Sequence, residues 1–234
     1  MFIFANFENN TMYDILLKCP FTAIICGATG SGKTTLISNL IYYKNILFSS
    51  NPSRVIIFYT EYQKIYDEMM EAGIVHELVE LDEKMISLES YVEKISPYKD
   101  KGGSVCIFDD CMELINTTNS KMFTRISHHH NCNTLFITHA VFMSKNESYK
   151  MMSKNSKYFF IMKNPRDVSQ VKIFSQQIGL SSQIMVDIFK EATKNAYSYL
   201  LIDFHPETPD HIRLRSHVFP HEGPVRVYVQ KNSI

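Results

Sequence analysis

Four short runs along the chain are apolar at nearly every position: residues 22–26, 55–59, 105–108 and 134–138. A strand with one wet face alternates polar and apolar residues, so these unbroken runs predict strands buried on both faces. Two further runs, 158–162 and 199–204, complete six predicted strands. Between them, apolar residues recur every three or four positions, which predicts helices over 33–43, 61–71, 87–95, 120–129, 168–178 and 181–194. Ser181 and Ser182 supply caps for the last of these, and Asn195 a left-handed stop. Strand runs alternating with helical ones predict an α/β fold with a mostly parallel central sheet flanked by helices. After Phe204, four prolines surround a strand-like stretch at 211–215, read as a C-terminal edge hairpin. No repeat or linker interrupts the pattern. Residues 1–234 are therefore read as one domain, with 1–19 as an N-terminal extension and 205–234 as the edge segment.

The turn after the first strand reads Gly27-Ala28-Thr29-Gly30-Ser31-Gly32-Lys33-Thr34, followed by Thr35. It satisfies GxxxxGK[ST] at every fixed position, and it lies between a buried strand and an amphipathic helix, as a phosphate-binding loop must. Glycines let successive backbone N–H groups turn inward to the β- and γ-phosphates, and the helix directs its positive dipole end at the same place. Lys33 adds a positive charge there, and the Thr34 hydroxyl is expected to coordinate Mg2+. The motif predicts a P-loop NTPase of the RecA/ASCE-like kind that binds ATP with Mg2+.

The strand at 105–108 ends in Asp109-Asp110. It is expected to lie beside the phosphate-loop strand, with Asp109 ordering the magnesium shell and Asp110 polarising the attacking water as general base. Two adjacent acids disfavour GTPases and small-molecule kinases. Asp100-Lys101-Gly102-Gly103 fits the DxxG of GTPases but precedes the strand, and no NKxD follows. The next strand ends in Thr138-His139, either of which could sense the γ-phosphate. Arg125 and Arg166 are each candidates to reach a neighbouring subunit's γ-phosphate as an arginine finger. His128-His129-His130, with Cys132 nearby, has no standard zinc spacing and is read as a helix end whose imidazoles bond free carbonyls.

Charge and cysteines refine this picture only locally. Lys plus Arg equals Asp plus Glu at 24 each, so no global field attracts nucleic acid or a membrane. Residues 61–100 carry a net charge of −7, whereas residues 145–172 carry +5 and form the local candidate for a DNA contact. Five cysteines without a CxxC pair predict reduced thiols and an intracellular protein. No apolar run approaches the roughly 18 residues that cross a bilayer. Residues 1–7 lack the basic start of a secretory signal.

With these residues in place, the chain resembles the viral genome-packaging ATPases of the FtsK–HerA superfamily, in the poxvirus-like type also found in Maverick/Polinton elements and adintovirus-like genomes. The matching features are Pro20-Phe21, the loop Gly27–Thr34, Phe108-Asp109-Asp110, Arg125 with His128-His129 and Asn131, and Phe136-Ile137-Thr138 with Phe142 beyond. Asn155, Tyr158, Lys163–Asp167, Tyr199–Asp203, Thr208-Pro209 and Arg213–Arg215 continue the series, so about residues 20–219 are covered. The family usually has Gln where this chain has His139, and often Arg where it has Lys150. The resemblance implies a ring-forming motor, commonly hexameric, that threads double-stranded DNA into a preformed capsid. Its partners would be DNA, further copies of itself and a capsid or portal component, in a virus factory or the host cytoplasm or nucleus. A nucleotide kinase acting on a small acceptor is the rival reading, although the chain has no Arg-rich lid.

Overall fold

The computed structural model describes residues 15–82, 84–140, 146–164 and 168–229. Nine strands form one sheet in the order β3-β2-β4-β5-β1-β6-β7-β8-β9. The first six positions of that order are parallel: β3 (Glu77–Glu80), β2 (Arg54–Tyr59), β4 (Ser104–Asp109), β5 (Cys132–Thr138), β1 (Thr22–Cys26) and β6 (Tyr158–Met162). Strands β7 (Tyr199–Asp203), β8 (Leu214–Ser216) and β9 (Arg226–Val227) extend it antiparallel. The expected edge hairpin is thus β8–β9.

The unbroken apolar runs are buried on both faces because helices cover both. Alternate residues separate into two cores, as the twofold repeat of a strand requires. Ile24, Ile56, Phe58, Cys106 and Phe108 belong to one, and Ala23, Ile25, Val55, Ile57 and Ile107 to the other. Helices α1 (Lys33–Tyr42) and α3 (Ile65–Glu71) cover the second core with Leu36, Leu40, Tyr66 and Met69. On the opposite face, α4 (Leu88–Ile95), α6 (Glu147–Asn155), α7 (Val168–Gln177) and α8 (Ser182–Ala192) contribute Tyr91, Met152, Phe174 and Ile188.

The structure departs from the sequence reading at several elements. First, β4 does not lie beside β1; β5 is inserted between them and pairs with both. Second, the short helix α2 (Lys44–Leu47), the edge strand β3 and α6 were not expected. Strand β3 escapes the apolar pattern because it is a half-exposed edge strand: Glu77 pairs with Arg54 at 2.6 Å and with Lys94, and Glu80 is exposed. Third, the helix predicted at 120–129 breaks at Thr124 into a 3-10 segment, Asn119–Phe123, and α5 (Arg125–His129). The carbonyls of Met122 and Phe123 are taken by side chains, Ser127 Oγ and Thr22 Oγ1, so the helical ladder is interrupted there. Fourth, α8 is capped by Ser181, whose hydroxyl accepts from Ile184 N, but ends at Ala192, and the left-handed residue beyond it is Tyr197, not Asn195.

At the end of β7, Asp203 accepts from Arg215 Nη2 at 2.5 Å, from Thr208 Oγ1 at 3.0 Å and from the His205 amide at 2.8 Å. Asp203 and Arg215 are fully buried. Removing one member leaves a buried charge uncompensated, so Asp203→Ala should cost about 3–5 kcal/mol of stability. Urea unfolding of the two proteins measures the difference.

Candidate active site

The glycine-rich loop begins where β1 ends, with Gly27 N donating to Thr138 O on β5 at 3.2 Å. Gly30 and Gly32 sit at φ 75° and 94°, a left-handed region that L side chains rarely adopt. A Cβ on Gly27 would lie 2.6 Å from Met162 Cβ and Ser31 Oγ, so the loop closes only around glycine. The Ser31 hydroxyl is buried in this loop without a hydrogen-bond partner. A phosphate oxygen would satisfy it, which fits the expected ligand. Lys33 opens α1 and is buried; its Nζ donates to Gly27 O at 2.9 Å and Ala28 O at 3.1 Å. Burial holds its ammonium below the usual lysine range, opposed by the charges of Asp109 and Asp110.

The two acids diverge. Asp109 is the last residue of β4 and is buried. Asp110 takes φ 53°, and that left-handed turn carries its carboxylate outward. Asp109 Oδ2 accepts from Tyr66 OH at 2.5 Å and Gln63 Nε2 at 3.0 Å, while Gln63 Oε1 accepts from Thr34 Oγ1 at 2.9 Å. One carboxamide therefore bridges the two groups expected to hold magnesium. Hard oxygen donors so spaced that a single polar group spans them suit a small divalent cation. Burial raises the Asp109 carboxyl above its ordinary range, and the Tyr66 hydroxyl opposes that shift.

His139 joins the acids to the lysine. Its Nδ1 lies 3.3 Å from Lys33 Nζ and its Nε2 lies 3.3 Å from Asp110 Oδ1. An ammonium only donates, so Nδ1 accepts, and Nε2 carries the hydrogen that points to Asp110. Lys33, Thr34, Asp109, Asp110 and His139 thus line a single cavity of about 890 Å3 together with Gln63. Thr29, Gly30, Gly32 and Thr35 line it as well.

Thr138 does not line this cavity. Its hydroxyl is buried, donating to Ala140 O at 3.2 Å beside Met112 Sδ. Successive residues of a strand face opposite ways, so His139 enters the space in its stead. Arg125 lies at the other end of the sheet, in a cavity with Phe21, Thr22 and Lys157 near the starts of β1 and β6. It therefore stands apart from its own chain's glycine loop. Arg166 falls outside the described residues. The histidine run does not cap carbonyls with its imidazoles: His130 Nδ1 lies 3.0 Å from Ser96 Oγ, and the rings of His128 and His129 stack. Among the described residues no three His, Cys, Asp or Glu side chains converge as metal ligands.

The sequence reading missed Gln63 and Tyr66. The periodicity of residues 61–71 predicts one helix, whereas helix α3 starts only at Ile65. The available signal was position: residues 60–63 follow the tip of β2, as Asp110 follows β4 and His139 follows β5.

Residues 3–93 match the model of the FtsK/SpoIIIE family. The match spans under half of the chain, includes the glycine loop and ends before β4. No curated protein matches the chain. Among solved structures it is similar to a KaiC-like protein from Pyrococcus horikoshii OT3, at 12% identity and TM-score 0.44, covering 90% of this chain and 91% of that one. It is also similar to the cytoplasmic domain of the Thermomonospora curvata type VII secretion ATPase EccC, at 8% identity and TM-score 0.44, covering 89% and 23%. The N-terminal domain of zonular occludens toxin from Neisseria meningitidis gives 12% identity and TM-score 0.37, covering 63% and 79%. The order of the parallel strands and the loop after β1 make the fold a RecA-like P-loop fold.

Gln63 takes the Thr34 hydroxyl hydrogen and one Asp109 oxygen, which orients both groups and leaves the Thr34 Oγ1 lone pairs and Asp109 Oδ1 for a cation. Gln63→Ala should therefore raise the Mg2+ concentration needed for half-maximal nucleotide binding by about tenfold, the usual loss when a group that orients metal ligands is removed. Titrating Mg2+ against a fluorescent ATP analogue measures this shift.

Proposed function

We propose that this chain hydrolyses ATP to drive viral double-stranded DNA through a ring of its own copies into a capsid. The observation that carries the reading is the meeting of Lys33, Thr34, Asp109 and Asp110 at one cavity, one acid buried and the other exposed. The family match over residues 3–93 and the resemblance series between Asp109 and Arg215 support the translocase part.

In this reading the loop amides and Lys33 hold the β- and γ-phosphates, with the lysine leaving the carbonyls of Gly27 and Ala28 to do so. Thr34 and Asp109 would hold magnesium, which would offset the negative charge of those phosphates. Asp110 accepts a proton from water as the water oxygen bonds to the γ-phosphorus and the bond to the β–γ bridging oxygen breaks, giving ADP and phosphate. His139 orients the Asp110 carboxylate through Nε2. One arginine of a neighbouring copy, Arg125 or Arg166, completes the site in trans; Arg125 lies remote from its own loop.

The DNA contact is the basic stretch at 145–172, repeated around the ring. Part of its charge is engaged internally: Lys150 with Glu147 at 2.6 Å, Lys157 with Pro20 O at 3.1 Å and Lys163 with Lys194 O at 2.7 Å. Lys154 and Lys172 stay exposed. Binding would rest on phosphates, without sequence preference, and would weaken as salt rises.

Asp110→Asn should retain ATP binding and lose turnover by about 100-fold or more, the usual range for a general base. DNA should stimulate wild-type turnover in the size-fractionated ring. Unchanged turnover in the variant would refute the base assignment. Phosphoryl transfer to a nucleoside monophosphate, indifferent to DNA, would make the protein a kinase instead.

A further inference from the structure

Beyond the end of the glycine loop lies a second cavity, of about 340 Å3. It shares Gly32, Thr35 and Tyr197 with the first, so the two adjoin at the start of α1. Its far wall includes Asn39, His217 and Glu222.

Tyr197 stands at the junction. It is an aromatic residue at φ 61°, and its side chain leaves the residue 69% exposed. Its ring closes over the loop: a Cβ on Gly32 would lie 3.2 Å from it. A bulky side chain in the left-handed region is strained and persists where its surroundings fix the backbone. Hydrogen bonds on both sides of Tyr197 do so here. Lys163 Nζ donates to Lys194 O at 2.7 Å, Ser198 Oγ to Asn195 O at 2.6 Å, and Lys163 N to Ser198 O at 3.0 Å. The segment is braced, and the exposed ring is held in place beside the loop without being used for the core.

The ligand's direction follows from the first cavity. Thr34, Gln63 and Asp109 mark the metal end, where the terminal phosphates belong. A nucleotide laid along the loop then leaves it past Thr35, toward Tyr197.

We infer that the second cavity is the nucleoside site, with the base of the triphosphate stacked on Tyr197 and the ribose over Thr35. The inference rests on the phosphate-loop reading and adds the recognition of a base to it. Stacking on one aromatic face tolerates every base, so Tyr197 supplies affinity and discriminates weakly among nucleoside triphosphates.

The test compares ATP with inorganic tripolyphosphate, which has the phosphates and no base, as competitors for a fluorescent ATP analogue in the presence of Mg2+. Tyr197→Ala should weaken ATP about tenfold, the loss expected for one stacked base, and leave tripolyphosphate unchanged. Tyr197→Phe, which keeps the ring, should bind ATP as the wild type does. An equal loss for both ligands would overturn the inference by making Tyr197 a support of the loop. No loss for ATP would overturn it by placing the base elsewhere, with the phosphate site intact. Failure of the wild type to bind either ligand would overturn the phosphate-loop reading and this inference with it.

Discussion

The site depends on the parallel hydrogen-bond register of four central strands. Cys26 on β1 stands level with Thr138 on β5, Ile137 level with Asp109 on β4, and Asp109 level with Tyr59 on β2. Parallel strands whose tips are level release the chain at one edge, so whatever follows each tip enters the same space. Gly27, Asp110, His139 and the segment ahead of α3 meet for this reason. The Gly27–Thr138 hydrogen bond continues the ladder one step past β1 and fixes where the loop turns.

Placing the site at this edge also sets its electrostatics. Asp109 still belongs to the sheet and is desolvated, whereas Asp110 is one residue beyond it and turned toward water. Burial works against the charge on both Asp109 and Lys33, raising the pKa of one and lowering that of the other. Tyr66 OH and Gln63 Nε2 act against this at the acid, and the two carboxylates act against it at the lysine. Adjacent acids of the same type are thereby given different environments, which is how one short motif can serve two chemical roles.

The inserted strand β5 separates the acidic strand from the glycine-loop strand and brings its own tip residue into the gap between them. Without β5, Asp110 and Lys33 would have no histidine between them. At the opposite end of the sheet, Arg125 and Lys157 share a cavity that opens away from the phosphate loop.

The sequence by itself determined what depends on neighbours along the chain. Gly27–Thr34 can be read because its backbone conformation, its lysine and its helix are contiguous, and the buried strands can be read because burial on both faces leaves an unbroken apolar run. Ser181 announces its cap for the same local reason. Tertiary structure alone decided how separate segments meet. It inserted β5 between β1 and β4, turned Thr138 into the core and His139 into the site, and helped break the helix at Thr124 by bringing Thr22 from a distant strand to the Phe123 carbonyl. It also brought Gln63 to Thr34 and Asp109, residues 29 and 46 positions away. Such contacts arise from strand order and register, which hydrogen bonds between distant segments set and which no local pattern encodes.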